Sequence, residues 1–303
     1  MTVKGRFAPT PSGRMHLGNL FSALLAWLSV RSKNGQIVLR IEDLDIGRCR
    51  MENALRFEKD LKWLGLDWDE GGCFEPYLQS KRGQIYDEAF DKLSQMGLVY
   101  PCYCSRASLH AASAPHASDG QYIYSGVCKN LTEEQRSQMI KIPAWRLAVP
   151  DREVSFIDGH LGKFSQNLAL DCGDFIIRRA DGVYGYQLAV VVDDALMGVT
   201  EVVRGCDLLD STPRQIYVNQ LLGYDIPSYY HLPLLTAPDG RRLSKRDKDM
   251  DLSELEKNYT PQQLVGRLAH IAGIIDAPEA VSARELVSEF SWDKVRKDTS
   301  VVV

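Results

Sequence analysis

The 303-residue sequence predicts an α/β fold: a parallel sheet with helices on both faces, an inserted module and a short C-terminal helical segment. Three observations carry this expectation. Short β-branched runs alternate with longer amphipathic runs over the first hundred residues, as in chains that cross from one parallel strand to the next through a helix. The texture then changes to Cys, His, Ser, Ala and Gly with weak periodicity up to about residue 170, and afterwards the alternation resumes.

Taken in order, residues 3–8 read as a strand. Pro9, Pro11 and Gly13 break the backbone, and residues 20–30 follow as an apolar run at helical spacing. Residues 36–41 alternate and are β-branched, 51–64 are amphipathic, and 80–96 carry another helical pattern. After the insertion, 175–178 and 188–192 read as strands, 212–222 as a helix and 232–235 as a strand. Beyond Asp251 the chain reads as mostly helical, with Ser253 as a cap and a second helix starting at Thr260-Pro261. The implied segments are 1–100 and 173–250 as two halves of one catalytic domain, 101–172 as the inserted module, and 251–303 as the helical end.

Composition narrows the function classes. With 45% hydrophobic and 25% charged residues the chain is globular, and a formal charge of −4 argues against indiscriminate coating of nucleic acid. The N-terminus lacks an apolar signal core and no stretch stays uncharged long enough to span a bilayer, so a cytoplasmic protein without membrane contact is expected. Seven cysteines, an odd number in such a chain, do not read as a disulfide framework.

Three constellations carry chemistry. In Arg6-Phe7-Ala8-Pro9-Thr10-Pro11-Ser12-Gly13-Arg14-Met15-His16-Leu17-Gly18-Asn19, a Pro- and Gly-rich turn leads from strand to helix. Such a turn aims backbone N–H groups and the positive helix end at an anion, which suits nucleotide phosphates. Alone, a His-x-Gly is an ordinary turn; the flanking residues set this one apart. In Gly240-Arg241-Arg242-Leu243-Ser244-Lys245-Arg246, a basic loop able to close over a triphosphate offers Lys245 as a mobile charge, although isolated basic loops are usually just solvated. Cys102-Tyr103-Cys104 with Cys128 suits a tetrahedral structural zinc lacking one ligand, for which Tyr124, His110 and His116 are candidates; the competing reading is buried thiols without metal.

At this point the sequence resembles the class I aminoacyl-tRNA synthetases. His16-Leu17-Gly18-Asn19 is similar to their HIGH motif and Arg242-Leu243-Ser244-Lys245-Arg246 to their KMSKS motif, in the same order and at wide separation. Leu17 stands for the usual isoleucine and Arg246 for the final serine. Arg40-Ile41-Glu42-Asp43-Leu44-Asp45, Val190-Val191-Val192-Asp193-Asp194 and Val203-Arg204-Gly205-Cys206-Asp207-Leu208-Leu209 narrow the resemblance to the glutamyl branch.

The resemblance implies a Rossmann-type catalytic domain that uses ATP with Mg²⁺. His16 and Lys245 would be catalytic, and His16, Gly18, Asn19, Ser244 and Lys245 would bind ATP. Arg6, Ala8, Thr10, Glu42, Tyr186 and Arg204 would bind L-glutamate. Arg6 and Arg204 would hold carboxylate, Glu42 the ammonium, and the Tyr186 hydroxyl would orient the substrate. Read from the residues alone, Arg40, Glu42 and Asp43 could equally form a strand-end ion cluster, and Tyr186 could be core. For the fourth metal ligand, chemistry favours a histidine, whereas resemblance to short members of this branch favours Tyr124 beside Cys102, Cys104 and Cys128.

About fifty residues follow the KMSKS-like loop, too few for a separate anticodon-reading domain. The expectation is therefore a short, monomeric enzyme of the kind that esterifies glutamate onto queuosine in the anticodon stem-loop of tRNA(Asp). The competing expectations are a truncated enzyme acting at the tRNA 3′ end and a non-catalytic paralogue that binds zinc and RNA.

Overall fold

The computed structural model describes residues 2–104, 123–237, 239–241 and 251–303. In chain order the first half comprises β1 (Lys4–Phe7), α1 (Leu17–Arg31), β2 (Gln36–Leu39), α2 (Met51–Trp63), β3 (Glu70–Gly71) and α3 (Gly83–Gln95). Next come β4 (Val99–Cys102), α4 (Glu133–Ser137), β5 (Ala144–Leu147), β6 (Glu153–Asp158), β7 (Gly162–Asn167) and β8 (Phe175–Arg178). The remainder is α5 (Tyr186–Leu196), β9 (Glu201–Gly205), α6 (Thr212–Leu222), β10 (Ser228–Leu232), β11 (Leu234–Thr236), α7 (Leu252–Asn258), α8 (Pro261–Ala272) and β12 (Ser300–Val302).

Strands β3, β2 and β1 pair in parallel, and β9 pairs in parallel with β10. The two groups meet where β9 runs beside β1, tied by the Thr200 N–H to the Lys4 carbonyl at 2.8 Å. The order β3-β2-β1-β9-β10 thus places the first and second halves of the chain side by side, with a crevice at the carboxyl ends of the strands where they meet. Between them, β4, β5 and β8 form an antiparallel sheet and β6–β7 a hairpin.

Alternation along each strand explains why both faces are covered. Ile37 and Leu39 enter a core with α1, α2 and α8, whereas Val38 enters a second core with α3, α5 and α6; Val203 and Val202 of β9 divide in the same way. Helix ends follow local chemistry: Thr260 caps α8 with Gln263 in a reciprocal box, Pro261 opens it, and Gly273 closes it in the left-handed region at φ 86°. Among the described residues no helix is long and apolar enough to cross a membrane.

Several local expectations need correcting. Residues 188–192 are not a strand but the middle of α5; all five are buried, so no polar face marks the helical period. The cap of α7 is Asp251, whose carboxylate accepts from the Ser253 N–H at 2.9 Å, rather than Ser253 itself. Strand β9 had no counterpart in the sequence reading. The C-terminal segment is helical only in its first part, ending in β12, which pairs in parallel with β11.

Candidate functional site

The carboxyl ends of β1, β2 and β9 and the starts of α1 and α5 surround a cavity of about 430 Å³. Arg6, Ala8, Thr10, His16, Gly18, Asn19, Glu42, Tyr186 and Arg204 all line it. Ser244 and Lys245, with His110 and His116, lie outside the described residues. Asp251, which follows residues 242–250, forms an antiparallel bridge with His16, and the Leu252 N–H donates to the Met15 carbonyl at 3.1 Å. Leu234 and Leu235 of β11, upstream of Gly240, line the same cavity.

The phosphate-type turn is anchored on β2 and its extension. Arg40 N–H donates to the Phe7 carbonyl at 3.0 Å, Glu42 N–H to Pro9 at 3.0 Å and Arg50 N–H to Pro11 at 3.0 Å. His16 is the N-cap residue of α1, and its backbone N–H donates to Asn19 Oδ1 at 3.1 Å, so Asn19 spends its oxygen on the helix start. A Cβ on Gly18 would lie 3.1 Å from the His16 ring, tighter than ordinary contact. The glycine therefore keeps space beside the imidazole.

Arg40, Asp193 and Asp194 are buried next to Arg6 and Glu42 of the cavity lining. Arg40 is fully buried and meets Asp194 at 2.6 Å, Glu42 at 3.2 Å and Asp193 at 3.7 Å. The ion-cluster reading of Arg40 and Glu42 is thus realised inside the protein, with Glu42 also lining the cavity. Burial raises the Glu42 pKa against the pull of Arg40 and Arg6. Burial acts on Asp194 in the same sense, but there Arg40 and Arg6 outweigh it and hold the carboxyl below its usual range. Arg6 donates from Nη1 to the Val203 carbonyl at 3.1 Å and its Nε faces Asp194 at 3.5 Å.

Tyr186 opens α5 and is exposed rather than core. Crowding by the cavity walls raises its pKa, with Arg204 opposing, so the phenol stays a hydrogen-bond donor. Arg204, at 5% exposure, is held by Gln215 Oε1 at 2.7 Å, Thr212 Oγ1 at 2.7 Å and His231 Nε2 at 3.1 Å. None of Gln215, Thr212 or His231 stood out in the sequence, because no local motif marks them.

Away from the cavity, the Cys102, Cys104 and Cys128 sulfurs lie within 4.8 Å of one another, with Cys104 and Cys128 at 3.6 Å. A tetrahedral zinc with bonds of about 2.3 Å separates its sulfurs by about 3.8 Å, so the donor set fits that ion. Tyr124 Oη stands 3.5 Å from Cys102 Sγ and accepts the Cys128 N–H at 2.8 Å. The Arg146 guanidinium covers the Tyr124 ring at 3.6 Å. Burial raises the Cys102 thiol pKa, but hydrogen bonds from Arg146 and Tyr124 prevail and lower it.

Residues 2–303 match the family model of the class I tRNA synthetases (E and Q), catalytic domain. The chain is 50% identical to the glutamyl-Q tRNA(Asp) synthetase of Symbiobacterium thermophilum, covering 97% of this chain and 94% of that one. It is 47% identical to the enzyme of the same name from Nitratidesulfovibrio vulgaris, over 90% and 87% of the two chains. Among solved structures, a glutamate tRNA ligase from Elizabethkingia meningosepticum, in complex with its amino acid, superposes with a TM-score of 0.84 at 28% identity. That match covers all of this chain and 67% of the other.

Proposed function

The chain belongs to the class I tRNA synthetase (E and Q) catalytic-domain family, and on that premise we propose that it activates L-glutamate with ATP, without tRNA, and transfers the glutamyl group to queuosine in tRNA(Asp). One observation carries the chemistry: two buried guanidiniums, Arg6 and Arg204, share a single cavity with the Glu42 carboxylate and the His16 turn. An acidic amino acid loses the water around three charges on binding, and this arrangement offers cations for its carboxylates and an anion for its ammonium.

In the proposed first step the glutamate α-carboxylate oxygen attacks the α-phosphorus of ATP. A P–O bond forms, the bond to the pyrophosphate oxygen breaks, and glutamyl-adenylate and pyrophosphate result. No covalent enzyme nucleophile takes part, so catalysis is positioning and charge stabilisation. His16, with the N–H groups of the α1 start, faces the reacting phosphates; Lys245 stabilises the departing pyrophosphate; Gly18 and Asn19 shape the nucleotide site, with Ser244 beside Lys245. Ala8 and Thr10 line the amino acid, and Tyr186 orients it. Mg²⁺ bound with ATP would supply charge neutralisation at the phosphates. In the second step a hydroxyl of the queuosine cyclopentenediol attacks the mixed anhydride, and AMP leaves.

The proposed RNA partner is the anticodon stem-loop of tRNA(Asp), met by a monomer, and substrates of this kind belong to the cytoplasm. Segments 1–100 and 173–250 would act as the two halves of the catalytic domain, with 101–172 inserted and 251–303 following. Within the inserted segment, Cys102, Cys104, Cys128 and Tyr124 would hold a zinc ion whose role is to fix the local fold.

Purified protein should support glutamate-dependent ATP/pyrophosphate exchange without tRNA, with glutamine and aspartate as controls; no exchange would reject the activation step and favour a binding protein. Nuclease mapping of glutamylated tRNA should find the label in the anticodon loop. Label on the 3′-terminal adenosine would reject the queuosine reading.

A further inference from the structure

In contrast to Arg6, Arg40 and Arg82, the buried Arg204 has, among the described residues, no carboxylate at ion-pair distance. Of its five N–H groups, four are directed at neutral acceptors: His231 Nε2, Gln215 Oε1, Thr212 Oγ1 and, at 3.4 Å, the Leu208 carbonyl. Its positive charge is thus left uncompensated at contact distance while the guanidinium is clamped. The nearest acid along this network is Asp158, one imidazole ring further away. Asp158 Oδ2 lies 2.6 Å from His231 Nδ1, and both side chains have no solvent exposure.

The hydrogen bonds determine the protonation pattern. Asp158 Oδ1 already accepts the backbone N–H groups of His160 at 3.0 Å, Leu161 at 2.8 Å and His231 at 3.2 Å. Oδ2 therefore faces a proton on His231 Nδ1, and Nε2 keeps a lone pair for the Arg204 Nε–H. Thr212 Oγ1 also stands 3.2 Å from Nε2 and can turn its hydroxyl to either role, but a proton on Nε2 would still face the Arg204 Nε–H donor to donor. Burial lowers the imidazole pKa, the Asp158 carboxylate opposes it and the positive charges of Arg204 and Arg6 add to it; the net direction is down, consistent with a neutral ring. The pair reaches across the fold, since Asp158 ends β6 of the inserted hairpin and His231 sits in β10.

We infer that Asp158 and His231 are positioning residues that hold Arg204 rigid and unneutralised, so that its charge is reserved for a carboxylate of the amino acid substrate. The inference rests on the reading of Arg204 given under the proposed function. A carboxylate directly on Arg204 would compete with the substrate; a carboxylate behind a neutral imidazole supports the cation without occupying its face. The pair would accordingly contribute to the choice of an acidic over an amide side chain.

Asp158→Asn tests this sharply. The single amide oxygen is claimed by the three backbone N–H groups, so the NH₂ group must face Nδ1 and drive the ring proton to Nε2, opposite Arg204. In the exchange assay the KM for glutamate should rise at least about tenfold, as for loss of one charge-assisted hydrogen bond. The KM for ATP should stay unchanged, and the preference for glutamate over glutamine should narrow. An unchanged glutamate KM in a folded variant overturns the inference, as does a parallel loss for both substrates. In the wild-type protein, ¹⁵N NMR at neutral pH should report His231 as the neutral Nδ1–H form; the Nε2–H form or an imidazolium overturns it even if the variant fails to fold. Wild-type protein without exchange would instead refute the functional reading, and the NMR result would still decide the state of the pair.

Discussion

Replacing Arg40 by methionine should destabilise the protein severely, and the structure says which partner bears the loss. Arg40 is fully buried among three carboxylates. Asp193 survives its removal well, because Arg82 at 2.6 Å, Gln79 at 2.7 Å and the Tyr86 hydroxyl at 2.9 Å still hold it. Among the described residues Asp194 keeps only Arg6, at 3.5 Å, and Glu42 loses its one direct cation. Stranding a buried carboxylate by deleting its partner costs about 3–5 kcal/mol, whereas methionine fills most of the vacated volume, so the cost is electrostatic rather than a cavity. Urea unfolding followed by tryptophan fluorescence measures it. The double variant Arg40→Met/Asp194→Asn should recover part of the loss, because one of the two stranded charges is then gone. A loss under about 1 kcal/mol in the single variant, within the ordinary range for point substitutions, would refute this reasoning.

Three further expectations follow from the same geometry and from the proposed roles. Lys245→Ala should lower exchange by about 10²–10³-fold, the usual cost of removing a preorganised transition-state donor; a wild-type rate would remove Lys245 from the mechanism. Asp60, buried between Arg56 and the acidic groups of Asp251 and Glu256, has its pKa raised to about 6, chiefly by burial. A raised carboxyl contributes stability below its unfolded value near 3.8 and loses it as pH rises through about 6. Asp60→Asn should therefore match wild type near pH 4 and exceed it at pH 8, by roughly 1–2 kcal/mol after solvent screening, in urea unfolding at both pH values. Finally, Cys128→Ser should lower the zinc content measured by elemental analysis from one per chain towards zero; a metal-free wild-type protein would sink the zinc proposal.

The parts legible in sequence are those decided within a few residues. Thr260-Pro261 opens α8 because helix capping is local chemistry. The Pro- and Gly-rich turn before His16 was readable for the same reason, as was the Cys-x-Cys pair. Resemblance then brought Arg6, Glu42, Tyr186 and Arg204 into one group, although they are scattered over two hundred residues.

What only the tertiary structure decided depends on long-range burial. Residues 188–192 read as a strand because a helix enclosed on all sides has no polar stripe to reveal its period. Arg40 could be a surface ion cluster or a buried one until Asp194, 154 residues away, closed over it. The clamp on Arg204 joins Asp158 to His231 across 73 residues of sequence. A side chain's charge state and orientation are set by the dielectric and the donors around it, and those neighbours exist only once the chain has folded.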